Sequence, residues 1–216
     1  MGLLYPNQCP VCGKLIPFNQ TYCKCSDAPS QLVPLNDDDP SFEDDPLHPF
    51  AAVWYYGGRI RFDLLSLKFH RKASLAKPLG LAMAQRVAQA FPTVSFDCVT
   101  FVPMTADDLR ERSFNQSALL AQWVARAFFI QCSALLQKVR ATPCQHMLNQ
   151  SERLANLEHA FAPTALVQPG STVLLVDDIK TTGTTLRRCR DTLLEAGVKE
   201  VYCLTCAMSD YSSLDF

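Results

Sequence analysis

A chain of 216 residues with 48% hydrophobic content and a formal net charge of −1 can bury one full core and carry a small appendage. It has no run of 18 apolar residues, and residues 1–10 show neither a charged n-region nor an apolar h-region, so no direct membrane insertion, no signal peptide and a cytoplasmic location are expected. The charge is uneven: residues 1–50 hold two basic and seven acidic side chains, residues 51–216 hold 18 basic and 14 acidic, and a mildly basic body permits a phosphate or nucleic-acid ligand without demanding one.

The first 28 residues read as a cysteine-rich zinc-binding module. Cys9-Pro10-Val11-Cys12-Gly13 is a knuckle, and Cys23 and Cys25 follow in the pattern C-x2-C-x10-C-x-C. Four thiolates suit a tetrahedral structural Zn2+, which would serve as the core of a segment too short for an apolar one. The second pair is one residue tighter than a regular zinc ribbon, so labile thiols or a redox pair are the alternative. Residues 29–49 carry Asp37, Asp38, Asp39, Glu43, Asp44 and Asp45 among prolines, a composition that reads as an acidic linker.

From residue 50 the main domain begins. Phe50, Ala51, Ala52, Val53, Trp54, Tyr55 and Tyr56 spell a strand, Gly57-Gly58 breaks it, and Ile60, Leu64 and Leu67, then Leu75, Leu79 and Met83, keep helical spacing. Residues 59–77 hold Arg59, Arg61, Lys68, Arg71, Lys72 and Lys77 against the single acid Asp63, with His70 among them. This is either an ordinary solvated face or a surface for pyrophosphate or a nucleic-acid backbone. Trp54, Tyr55, Tyr56 and Phe69 are candidates for base stacking, although several must be core.

A second strand covers residues 98–103, and the stretch opening at Leu109 predicts a helix running to about Phe129. Arg110 and Arg112 precede the start of that helix, where two guanidinium groups and free N–H groups converge on one anion; Asn115 and Gln116 add amide groups. The plainer reading is a surface helix with polar caps. Residues 135–139 read as a short strand or helix end. Ser151 caps a helix start in which Arg153 and Asn156 are site candidates or members of a salt-bridged turn, and Phe161 anchors its loop in the core.

The densest signal lies near the C-terminus. Val173, Leu174, Leu175 and Val176 form a strand buried on both faces, which Asp177 and Asp178 end; Thr181-Thr182-Gly183-Thr184-Thr185 then leads into a helix through Leu186, Leu193 and Leu194. A helix N-terminus rich in hydroxyls holds a phosphate, and adjacent carboxylates at a strand's C-terminal end accept from a pair of sugar hydroxyls. The combination points to a ribose 5-phosphate, where simple capping would need one Thr and no acid pair. Lys180 either reaches that phosphate or points to water, and water is the favoured reading. Gly197 ends the helix, and residues 201–208 form a last strand on which Cys203 and Cys206 face opposite sides as packing residues.

The run of two acids, two further residues and Thr-Thr-Gly-x-Thr resembles the PRPP-binding motif of type I phosphoribosyltransferases. Together with Tyr-x-Gly-x-Ile-Arg, Leu-Lys-Phe-His, Val-Pro, Arg-Glu-Arg-x-Phe-Asn-Gln and Ser-Glu-Arg-Leu-Ala-Asn in this order, it resembles the ComF family over about residues 5–208. The resemblance implies an α/β fold: a type I phosphoribosyltransferase-like, mainly parallel sheet flanked by helices over residues 50–216, with the small N-terminal zinc knuckle. It also implies an association with DNA uptake in natural competence, beside a competence helicase and an inner-membrane channel. Met104-Thr105-Ala106-Asp107-Asp108 departs from relatives, which often carry basic residues or His there.

As a phosphoribosyltransferase, a glycosyltransferase of pentosyl groups, such a protein holds PRPP with Mg2+. Asp177 and Asp178 would be the catalytic pair at the ribose hydroxyls. Thr181, Thr182, Gly183, Thr184, Thr185, Arg110, Arg112 and Lys68 would bind PRPP and its leaving group. No general base and no base-reading hood are recognisable, so catalysis is left open. The alternative is a non-catalytic protein that binds single-stranded DNA and protein partners with the same fold.

Overall fold

The computed structural model describes residues 7–9, 14–17, 23, 32–33, 47–139 and 160–209. Two short strands, β1 (Asn7–Gln8) and β2 (Leu15–Ile16), pair antiparallel, and the Cys9 N–H donates to the Lys14 carbonyl at 2.8 Å. Cys9 and Ile16 are buried in the same apolar cluster as the main sheet, with Cys23 packed against it.

β3 (Phe50–Tyr55) leads through Gly57 into α1 (Gly58–Phe69), and α2 (Ala76–Ala90) follows. Ile60, Leu64 and Leu67 of α1 and Leu79 and Met83 of α2 are fully buried, the faces that their spacing predicts. β4 (Cys98–Phe101) comes next. The single helix expected after it is two: α3 (Ala106–Arg112) and α4 (Gln116–Phe128). Ser113 breaks them by adopting the left-handed conformation (φ 70°), and Thr105 and Asn115 each cap a start by accepting from the backbone N–H three residues on. Arg110 and Arg112 therefore sit in the last turn of α3, where cations complement the helix dipole.

β5 (Gln131–Cys132) is followed by β6 (Leu136–Lys138), which pairs antiparallel with β7 (Phe161–Pro163) and seats Phe161 in the core. β8 (Thr172–Lys180), α5 (Thr184–Glu195) and β9 (Glu200–Met208) complete the order. The main sheet runs β3-β9-β8-β4-β5 with every pair parallel. Its C-terminal strand ends thus share one edge, the place where open α/β sheets bind ligands.

The core lies on both faces of this sheet. Leu174 and Val176 of β8 join α1, α2 and α4 on one side, whereas Val173 and Leu175 join Leu186, Cys189 and Leu193 of α5 on the other. Cys203 and Cys206 split between the same two clusters, as their odd separation predicts. Where α2 crosses α4, a Cβ on Gly80 would lie 2.5 Å from Trp123 Cβ, so only glycine permits the approach.

The expected linker is not wholly free of the body. Leu32 bridges Trp54 antiparallel, the Val33 N–H donates to the Val53 carbonyl at 3.0 Å, and Leu47 is fully buried. Among the described residues no helix is long and apolar enough to cross a membrane. Cys12, Cys25, Ser151, Arg153 and Asn156 lie outside the described residues.

Candidate functional site

The acids do not end their strand. β8 continues through Asp177 and Asp178 to Lys180, with Asp177 opposite Thr205 and Lys180 opposite Met208 on β9. Both carboxylates are consequently held rigidly and nearly buried, at 9% and 7% exposure. Two helices converge on them. Ser117, in the first turn of α4, donates its hydroxyl to Asp177 Oδ1 at 2.7 Å, and the Asp178 N–H donates to the same oxygen at 2.8 Å. Lys68, in the last turn of α1, brings Nζ to 2.7 Å from Asp178 Oδ2, a charge contact rather than an aligned hydrogen bond.

The protein thus occupies one oxygen of each acid. Among the described residues no side chain or loop N–H donates to Asp177 Oδ2 or Asp178 Oδ1. Burial, together with the neighbouring Asp178 charge, pushes the Asp177 carboxyl up to about 7, against the pull of Ser117, the Asp178 N–H and Lys68.

Beyond the strand, Thr181, Thr182 and Thr185 are exposed, Thr184 is half-buried and Gly183 is buried. Thr182 and Thr184 share a hydroxyl contact of 3.0 Å across the turn. Gly183 has φ 74°, and a Cβ there would come within 2.8 Å of Leu47 Cδ1, so this position requires glycine on two counts. Lys180 does not reach water as the sequence suggested: it is 7% exposed, and its ammonium lies 4.7 Å from the Phe50 ring centroid.

The two arginines separate. Arg110 is exposed and paired with Asp107 at 2.9 Å, whereas the Arg112 guanidinium lies 5.6 Å from the centroid of Phe69, the residue beside Lys68. Asn115 is occupied as a cap: Oδ1 accepts from the Ala118 N–H, and Nδ2 donates to the Val102 carbonyl at 2.9 Å, tying α4 to the end of β4.

On the outer side of α1, Phe62 and Phe69 are seven residues apart and exposed by 54% and 60%. Arg59 and Lys72 lie over the Phe62 ring. The only acid of this stretch, Asp63, is buried and paired with Arg59 at 2.9 Å, which leaves the outer side basic. Trp54, expected as a stacking candidate, is core at 0% exposure. Phe62 is instead an exposed ring on this side, and the signal for its exposure was a phenylalanine that the apolar spacing of Ile60, Leu64 and Leu67 leaves outside. Ser117 had no signal beyond its place directly after Asn115 and Gln116.

A family model described as phosphoribosyl transferase domain matches residues 79–211. Over 91% of its length the chain is 30% identical to DNA utilization protein YhgH of Escherichia coli O157:H7, covering 88% of that protein. Over 42% of its length it is 34% identical to competence protein F of Haemophilus influenzae, covering 41% of it. The chain belongs to the ComF family. In this ComF-family protein the parallel sheet and its flanking helices are a type I phosphoribosyltransferase fold. A crystal structure of adenine phosphoribosyltransferase is similar over 68% of this chain and 76% of that one, with 18% identity and a TM-score of 0.46.

Proposed function

We propose that the ComF-family acid pair and its threonine turn bind a ribose 5-phosphate, with PRPP as the ligand. The observation that carries this is the half-occupied state of each carboxylate: the protein takes Asp177 Oδ1 and Asp178 Oδ2, which leaves one acceptor oxygen on each for two sugar hydroxyls. The 5-phosphate then meets the hydroxyls of Thr181, Thr182, Thr184 and Thr185 and the N-terminus of α5. Mg2+ would enter with PRPP, and the carboxylates of Asp177 and Asp178 are the hard oxygen donors near which it would stand to offset the pyrophosphate charge.

Transfer chemistry needs charge offset at C1 as pyrophosphate departs, and the two carboxylates supply it when ionised. Lys68 and Arg112 are the cations on the side of α1, suited to hold the leaving group. Arg110, turned to Asp107, stands further from this role. Calorimetric titration of PRPP with Mg2+ into the wild type and into an Asp177→Asn, Asp178→Asn double variant tests the reading. Binding by the wild type alone supports it, and wild-type protein that takes up no PRPP sinks it. A panel of nucleobases offered with PRPP then decides whether transfer follows.

A second reading has its own observation, the basic and aromatic outer side of α1. Phe62 and Phe69 with Arg59, Lys72 and Arg112 suit a single strand, rings for bases and cations for phosphates. The relatives' names, DNA utilization protein and competence protein, support a role in handling DNA, and a competence helicase is the partner this reading proposes. Affinity for single-stranded DNA that falls steeply with salt supports this; no binding at low salt counts against it.

We propose in addition one structural Zn2+ on Cys9, Cys12, Cys23 and Cys25, because four thiolates at this spacing suit its tetrahedral preference. Metal analysis of protein purified without chelator should return one zinc per chain, and four free thiols with no zinc would refute the site.

A further inference from the structure

A carboxylate that receives a sugar hydroxyl must present a fixed oxygen, because a freely rotating group loses entropy on binding. Asp177 is fixed by two donors on one oxygen, and only one of them, the Ser117 hydroxyl, comes from outside β8. Ser117 is 6% exposed. Serine in the first turn of a helix ordinarily turns its hydroxyl to the backbone as a cap. Here Asn115 holds the cap position instead and is itself locked to the Val102 carbonyl at the end of β4. That arrangement releases the Ser117 hydroxyl for Asp177 and sets its height above the strand ends.

We propose that Ser117 is a positioning residue of the ribosyl-phosphate site: its hydroxyl pins Asp177 Oδ1 so that Oδ2 is the oxygen offered to the ligand. The proposal rests on the PRPP reading above and extends it to a residue on a different element. Around Asp177 stand Asp178 on the same strand, Lys68 from α1 and Cys189 from α5. Ser117 is the group that α4 contributes, so removing its hydroxyl leaves Asp177 Oδ1 only the Asp178 N–H and the distant charge of Lys68.

The test compares the wild type with Ser117→Ala and Ser117→Thr. In calorimetry with PRPP and Mg2+, Ser117→Ala should bind about tenfold more weakly, the scale of one hydrogen bond to a charged group, while Ser117→Thr should recover most of that loss. Carboxyl 13C resonances of Asp177, followed against pH in the ligand-free protein, should move their midpoint upward in Ser117→Ala and stay near the wild type in Ser117→Thr. Ser117→Ala with wild-type affinity and an unmoved midpoint overturns the proposal. Wild-type protein that binds no PRPP overturns the PRPP reading and the ligand part of this one, and the carboxyl titration then decides alone whether Ser117 holds Asp177.

Discussion

Lys68 Nζ stands 2.7 Å from Asp178 Oδ2, joining the last turn of α1 to the end of β8 across the sheet edge. The two side chains are only 21% and 10% exposed, so each compensates the other's loss of water. Replacing Lys68 by Met should cost about 2 kcal/mol, less than for a fully buried pair, because Asp178 keeps its burial and loses its counter-charge. Urea denaturation of Lys68→Met against Lys68→Arg measures it. Equal stability of all three proteins would show that the contact is energetically idle.

Stability should fall as pH rises through the range in which Asp177 ionises. Its folded carboxyl is held up to about 7, above its ordinary value of 3.8, so between those values the folded state binds the extra proton and the unfolded state has released it. Linkage then lowers stability with increasing pH across that window, the stabilisation being complete below 3.8 and gone above 7. Melting temperatures of Asp177→Asn should lack this slope between pH 4 and 7. In the same window PRPP affinity of the wild type should rise with pH, since only the ionised Asp177 accepts a sugar hydroxyl at Oδ2 while Oδ1 accepts from Ser117. A flat Tm difference between the two proteins would refute the assignment.

Gly183→Ala should damage the turn. The left-handed φ of 74° disfavours any Cβ by about 1 kcal/mol. The new methyl, 2.8 Å from Leu47 Cδ1, adds an overpacking cost of about 1–3 kcal/mol. A melting temperature lower by roughly 5 °C or more is expected for a domain of this size, together with weaker PRPP binding. Leu47→Ala in the same chain should recover part of the binding by vacating the contested space.

Removing the outer rings should separate folding from nucleic-acid binding. Phe62→Ala and Phe69→Ala truncate side chains that are more than half exposed, so stability should change by no more than about 0.5 kcal/mol. Affinity for single-stranded DNA should drop by about 1–3 kcal/mol for each ring that stacks a base. Filter binding at two salt concentrations reads it, and unchanged affinity in the double variant would move the strand elsewhere.

Much of the site was legible because it is local. Val173, Leu174, Leu175 and Val176 announce a strand buried on both faces, and the threonine turn follows within a few residues, so chain order alone places acids beside a helix start. The extent of β8 was not legible. Aspartate is a poor strand residue, yet β9 offers Thr205 and Ala207 as partners on either side of Asp178 and carries the strand through. The fate of Lys180 depends on Phe50, 130 positions away in sequence, and no periodicity encodes that contact. Ser117 likewise meets Asp177 across 60 positions. The break between α3 and α4 escaped because Ser113 takes a left-handed conformation in which glycine is the usual warning.

Leu32 and Val33 lie along the outer margin of β3, the strand that would otherwise present its backbone to other chains. With Leu47 anchored in the interior, the acidic run from Asp37 to Asp45 is spanned by attachment points on both sides. A protease that cuts within that run would therefore sever the covalent chain without separating its pieces. The two fragments should co-elute on size exclusion in native buffer and part only in denaturant, so that the amino-terminal piece behaves as a complementing strand rather than a detachable finger.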